Sequence, residues 1–245
     1  MSRCSNNYLT ENILFDAGTI FTGPDIELWL DASDAGSLIL DPDPVGDGFD
    51  RVTRWNDKLG NGNYVVPGGT AGDPNLIPGD RNSKDVVWFG PYQPDQSGTW
   101  DQGKWMQFKD AQDDDLTISN IRTVFLALKG YNHLLTAGGS YHFHRAGEEA
   151  TSEIWHGTYS SANIRNGETY LNGVQVDGTT TPLPADYSLV SVVTTGDVEA
   201  GSLCSDRNQF RSGGQHIAEI IIFNRALNDA ERELVEGDLK AKWGI

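Results

Sequence analysis

Four aspartates in the stretch KDAQDDDL, Asp110, Asp113, Asp114 and Asp115, put hard oxygen ligands into one short segment, the donor type that Ca²⁺ prefers. Their spacing is not that of an EF-hand. Asp110, Asp113 and Asp115 are therefore the candidate calcium ligands, with a solvated acidic loop as the alternative, and no other cofactor is expected. His142 and His144 flank Phe143 in HFHR, so on a strand both imidazoles would share a face at a spacing one metal ion could use. No third ligand is identifiable, so hydrogen bonding is the preferred role. Glycoside hydrolysis needs two carboxylates at a defined separation. In GEEATSE, Glu149 and Glu153 would lie about 13 Å apart on a strand, too far for nucleophile and acid. With Glu148 they read as an exposed acidic turn.

Sugar binding asks for a flat aromatic surface with polar groups beside it. Tyr92, Trp100 and Trp105 lie in or beside a Gly/Pro-rich loop between two expected strands, and are the candidate glycan-binding residues. Trp100 either displays its ring to a ligand or caps one end of the fold. Neither a nucleophile elbow, nor a phosphate loop, nor a dinucleotide glycine pattern is present.

The elements that must position these residues are mostly strands. Residues 26–31 alternate apolar Ile26, Leu28 and Leu30 with Glu27, Trp29 and Asp31, the period of a strand with one face in a core. Residues 51–55, 86–89, 105–108, 121–128 and 189–194 read as further strands. Residues 65–84 read as a Gly/Pro-rich connection with little core content, and residues 41–50 as a loop. Asn166-Gly167 and Asn172-Gly173 each predict a type I′ hairpin. Residues 217–223 are apolar on both faces except for Glu219, which predicts an interior strand. A helix follows, with Asn228 as N-cap and Glu231 completing a capping box. Its apolar half carries Ala230, Leu234, Val235, Leu239 and Ala241, and its polar half Asp229, Arg232, Glu233, Glu236 and Lys240.

With 28 glycines, 38% hydrophobic residues, seven Trp and eight Tyr in 245 residues, the composition fits one turn-rich all-β domain. A net charge of −17 argues against nucleic acid and anionic membrane surfaces as partners. No stretch approaches the roughly 20 apolar residues that span a bilayer, so no membrane insertion is expected. Residues 1–24 read as an amino-terminal arm that docks, with residues 25–245 as the domain. No signal peptide is visible in the arm. Cys4 and Cys204 are read as two free thiols rather than a bridge.

The tail, residues 214–245, resembles the final strand and helix of concanavalin A-like lectin/glucanase domains of the laminin-G-like kind. Similar landmarks are IELWLDASD (26–34), RVTRWNDKLGNGN (51–63), VVWFG (86–90), TVFLAL (123–128), HFHR (142–145) and YLNGVQV (170–176), together covering nearly the whole chain. The resemblance implies an all-β, two-sheet antiparallel jelly-roll sandwich with one short C-terminal helix. It also implies that Trp29, Trp55, Trp88 and Trp243 are framework residues. That fold hosts lectins, adhesion modules, hydrolases and virion proteins. The expected function is a non-enzymatic structural or recognition protein: a virion component such as a phage fibre or capsid-decorating protein, presenting a lectin-like domain to cell-surface glycans. Its partners would be glycans or other virion proteins, its location virion or extracellular, and a homo-oligomer is compatible with it. The alternatives are a soluble secreted lectin and a glycoside hydrolase or lyase. The Glu-x-Asp-x-x-Glu strand that marks hydrolases of this fold is absent.

Overall fold

The computed structural model describes residues 23–69, 71–91, 103–130, 133–138, 142–145, 152–206 and 212–245. The expected arm, apart from its last two residues, lies outside them, as do Cys4, Tyr92, Trp100, Glu148 and Glu149. In chain order the elements are β1 (Ile26–Asp31), β2 (Leu38–Asp41), β3 (Arg51–Asn56), β4 (Tyr64–Pro67), β5 (Asn75–Arg81), β6 (Lys84–Trp88), β7 (Met106–Lys109) and β8 (Ile118–Gly130). There follow β9 (Leu135–Thr136), α1 (Ala162–Arg165), β10 (Glu168–Leu171), β11 (Val174–Val176), β12 (Ser188–Ala200), β13 (Ser202–Leu203), β14 (Gln215–Phe223) and α2 (Asp229–Trp243). Every pairing between these strands is antiparallel. The hydrogen-bonded path runs β11-β10-β12-β8-β14-β6-β5-β3-β4-β7-β13-β9, with β1 beside β14 and β2 beside β3.

That path folds over a core, giving a β-sandwich-like molecule. Val52, Trp55, Val65, Met106 and Phe108 from β3, β4 and β7 join one apolar cluster with Val124, Leu126, Val190, Val192, Ile220 and Ile222 from β8, β12 and β14. The alternate residues of the same central strands, Phe125, Ala127, Leu189, Ala218, Ile221 and Phe223, join a second cluster with Val235, Leu239 and Trp243 of α2. This is why β8 and β14 are apolar on both faces: one face meets the rest of the sheet, the other meets the helix. Each large side chain so buried is worth about 1.5–3 kcal/mol.

The expected capping box of α2 is present: the Asn228 side chain accepts from the Glu231 backbone N–H (3.1 Å) and the Glu231 carboxylate accepts from the Asn228 N–H (3.0 Å). The expected helix face holds in part, since Val235 and Leu239 are buried and Leu234 packs against the same cluster. Ala230 and Ala241 are exposed, whereas Arg232, Val235, Glu236, Leu239 and Trp243 are buried. Arg232 and Glu236 go under as a pair, Nη1 to Oε2 at 2.6 Å, with the guanidinium carbon 3.6 Å from the centre of the Tyr170 ring.

Further expectations meet different outcomes. The 65–84 connection contains β5, which buries Leu76 and pairs with β6 despite a register shift between Ile77 and Arg81 where Pro78 and Gly79 interrupt it. Asn172 and Gly173 make the tight hairpin between β10 and β11, both at positive φ (54° and 86°). Asn166-Gly167 instead ends the single turn of α1, which Ser161 caps, with the Asn166 N–H donating to the Ala162 carbonyl. A second helix, one turn long, thus joins the expected C-terminal one.

Candidate functional site

Those of the residues singled out for chemistry that are described do not meet in one place. Trp105 is 4% exposed, and a Cβ on Gly68 would lie 2.2 Å from its ring, so it packs inside and offers no face to a sugar. Asp110 caps its own turn by accepting from the Gln112 and Asp114 N–H groups, Asp113 accepts from the Tyr64 hydroxyl, and Asp115 pairs with Lys109 at 3.0 Å. Each carboxylate has its own partner instead of a shared centre. Among the described residues no group of three or more His, Cys, Asp or Glu is arranged to hold a metal ion. HFHR is not a strand: His142 faces Glu199 (3.3 Å), while His144 stacks on His133 with ring centres 4.6 Å apart. Trp155 is fully buried and Glu153 only half-buried. Cys204 is a free, buried thiol whose pKa burial pushes up, which leaves it unreactive.

Several of the landmark motifs converge on one buried charge cluster. Asp31 and Glu219 are register partners across β1 and β14, and each is 1% exposed. Lys242 of α2 reaches both, at 2.6 Å from Asp31 Oδ2 and 2.6 Å from Glu219 Oε2. Lys58 lies 2.6 Å from Asp31 Oδ2, and Ser33 donates to Oδ1. The indole N–H groups of Trp29 and Trp243 donate to Glu219, each at 2.7 Å. Burial acts to raise both carboxyl pKa values. At Asp31 the hydrogen bonds from Lys242 and Lys58 outweigh it and hold the group below its usual value. At Glu219 burial, reinforced by the charge of Asp31, prevails and the pKa rises.

Diverging carboxyl pKa values are the mark of an acid–base pair. Here, however, all four oxygens already accept hydrogen bonds, so the cluster is a clamp that ties α2 to β1 and β14. The cavity above it, about 460 Å³, is lined by groups that satisfy one another, including Trp29, Lys58 and Lys242.

Asp57 supports this cluster from below. It accepts the Trp29 and Leu59 N–H groups on Oδ1 while Oδ2 is buried without a hydrogen bond. Burial outweighs the two backbone donors and the Asn61 side chain and raises its pKa to about 6. A raised carboxyl pKa means the folded state holds the proton more tightly, so wild-type stability should fall as pH rises from about 4 to 6. Asp57→Asn keeps the Oδ1 acceptor and has no charge to bury. Thermal melts across this window should show the variant at least as stable as wild type at pH 7.5, with the decline flattened; an unchanged decline would contradict the assignment.

A second cavity, about 620 Å³, has the opposite chemical character. It lies between the C-terminal end of α1, the β10–β11 hairpin and the turn at residues 177–179, with Trp155 at its base. The Trp155 indole donates to Thr169 Oγ1 (2.9 Å), and Gly178 approaches that ring so closely that a Cβ would stand 2.4 Å from Cδ1. Any side chain there would have to displace the Trp155 ring. Four polar side chains line it with valences that no protein group takes up, Arg165 half-buried and Asn166, Gln175 and Asp177 exposed to water. Arg165 uses Nη1 on the carbonyls of Thr158 and Ser160 (2.8 Å to the latter), leaving Nε and Nη2 unbonded among the described residues. The amides of Asn166 and Gln175 likewise make no side-chain hydrogen bond among them. Asp177 spends Oδ1 on the N–H and hydroxyl of Thr179, contacts that hold its pKa low, and Oδ2 remains.

None of these four was a sequence candidate. The one available signal was Asn166-Gly167, whose hairpin reading concealed that the pair sits at the rim of a cavity. No described helix is long and apolar enough to cross a membrane. Compared with known proteins, the chain matches no family model and no curated sequence, so the chemistry of this cavity rests on its own geometry.

Proposed function

We propose that the protein is a non-enzymatic recognition module, a jelly-roll domain of the concanavalin A-like, laminin-G-like kind, that binds a saccharide in the cavity beside the β10–β11 hairpin. The observation that carries this is the set of unspent planar groups there, Arg165, Asn166, Gln175 and Asp177, offering donors and acceptors together. A sugar hydroxyl both donates and accepts, so it can use such a mixed set where a purely cationic or apolar ligand cannot. The groups sit on a hairpin and turns held by the sheet, so the backbone that carries them is already in place and binding has only the exposed side chains to order. The virion setting, with residues 1–24 attaching the domain to an assembly, belongs to the same proposal and rests on the resemblance.

The test is binding to a glycan array followed by calorimetry on the best ligand. Asn166→Ala and Gln175→Ala should each weaken binding about 5–10-fold, the worth of a hydrogen bond, without lowering the melting temperature. A blank array, or binding that both variants leave untouched, would remove the proposal. Release of reducing sugar that disappears in Glu219→Gln would replace it with a hydrolase.

A further inference from the structure

Arg165 shares with Arg54, Arg145, Lys84, Lys104 and Lys240 the lack of an ion pair among the described residues, and of these it is the one that lines the 620 Å³ cavity. Arg51, Arg81, Arg122, Arg225 and Arg232 each have a carboxylate within ion-pair distance. Arg165, in a chain with 35 acidic residues against 18 Lys and Arg, has none among the described residues. It is nevertheless held in place. Its Nη1 donates to two backbone carbonyls, which fixes the plane of the guanidinium and leaves the Nε–Nη2 edge, a two-donor fork that matches a carboxylate side-on. That residue lines the 620 Å³ cavity together with Asn166, Gln175 and Asp177.

Resting on the saccharide reading of this cavity, we infer that its ligand is an acidic sugar, with the carboxylate seated on the Nε–Nη2 edge of Arg165 and ring hydroxyls shared among Asn166, Gln175 and Asp177 Oδ2. Two features argue for an anion on the sugar over a neutral one. A guanidinium whose Nη1 is held on two backbone carbonyls and that has no carboxylate partner among the described residues presents a pre-oriented two-donor edge, and an incoming carboxylate supplies both the matching acceptors and the counter-charge. Asp177 in turn rules out a bare anion as the best ligand, because it repels one unless hydroxyl groups lie between.

The experiment is calorimetric titration of the whole chain with methyl glucuronoside, methyl glucoside and acetate, which separate the charged group from the ring. Wild type should favour the glucuronoside over the glucoside about ten-fold, and acetate should bind far more weakly than either. Arg165→Gln should bring the two sugars level. Asp177→Asn, which retains the Oδ1 acceptor, should strengthen glucuronoside binding about three-fold, a gain that misfolding cannot imitate. Equal binding of the two sugars by wild type would overturn the acidic-sugar inference and leave the saccharide reading standing. Acetate binding as strong as the glucuronoside would overturn it too, marking a bare anion site. If neither sugar binds while the protein melts cooperatively, the inference falls, and the glycan array decides the saccharide reading beneath it.

Discussion

Lys242→Ala should cost about 3–5 kcal/mol of stability at pH 7, the loss expected when a buried ion cluster is deprived of one charge. Among the described residues Lys242 is the one cation in contact with both Asp31 and Glu219, at 2.6 Å from each, and its removal leaves two carboxylates, each 1% exposed, facing one another across paired strands. Lys58 still holds Asp31, so the uncompensated charge falls on Glu219. Glu219 already has a raised pKa, and a proton there discharges the conflict. The deficit of the variant should therefore be greatest at neutral pH and shrink as the pH falls toward the pKa of Glu219. Wild type runs the other way through Asp31: its pKa is held below 3.8, so the stability it confers is present at neutral pH and is lost as the pH falls through its folded pKa. Denaturant melts of both proteins at several pH values measure this directly. A loss below about 1 kcal/mol at pH 7, the value of an exposed ion pair, would mean that water reaches the cluster.

Arg232→Ala should be as damaging, about 3–5 kcal/mol, and should also weaken ligand binding. Arg232 and Glu236 have side chains only 5% and 2% exposed and lie 2.6 Å apart on α2. Alanine at 232 leaves the Glu236 carboxylate buried without its cation. It also removes the guanidinium stacked on Tyr170, the contact that presses β10 against the helix. That strand carries Thr169 of the cavity, and its hairpin partner β11 carries Gln175. Because α2 touches the hairpin again where Lys240 donates to the Asn172 carbonyl (3.3 Å), the hairpin should loosen rather than detach. The double replacement Arg232→Met with Glu236→Leu fills similar volume without charge and should recover most of the stability. If the single variant melts within 1 kcal/mol of wild type, the pair is not desolvated and the helix does not brace the site.

What the sequence made legible was whatever depends on neighbours along the chain. The capping box at Asn228 and Glu231 and the Asn172-Gly173 turn are local devices, and both stand where expected. The two-sided apolar character of 217–223 correctly implied cover on both faces. Reading failed where charge was assumed to mean solvent. Arg232 and Glu236 look like a polar helix face only until each is seen to bury the other. Glu219, the single charged residue in an apolar strand, is the same case, since a buried carboxylate implies a hidden cation and Lys242 lies 23 positions away. Strand β5 escaped notice because Pro78 and Gly79 mimic loop composition, and a bulge absorbs them. The cavity was invisible for a different reason. Arg165, Asn166, Gln175 and Asp177 have ordinary polar identities and no motif spacing, and only the fold of α1 against the β10–β11 hairpin brings them together.

The central claim is that saccharide recognition takes place between α1 and the β10–β11 hairpin. Backbone amide chemical shifts, followed while a saccharide that the protein binds is titrated in, test it residue by residue. The predicted result is a saturable set of changes centred on residues 155–157, 165–169 and 175–179, with the amides around Lys58 and Lys242 unmoved. A saturable set centred on the Asp31–Glu219 cluster or elsewhere, with residues 165–179 silent, would contradict it.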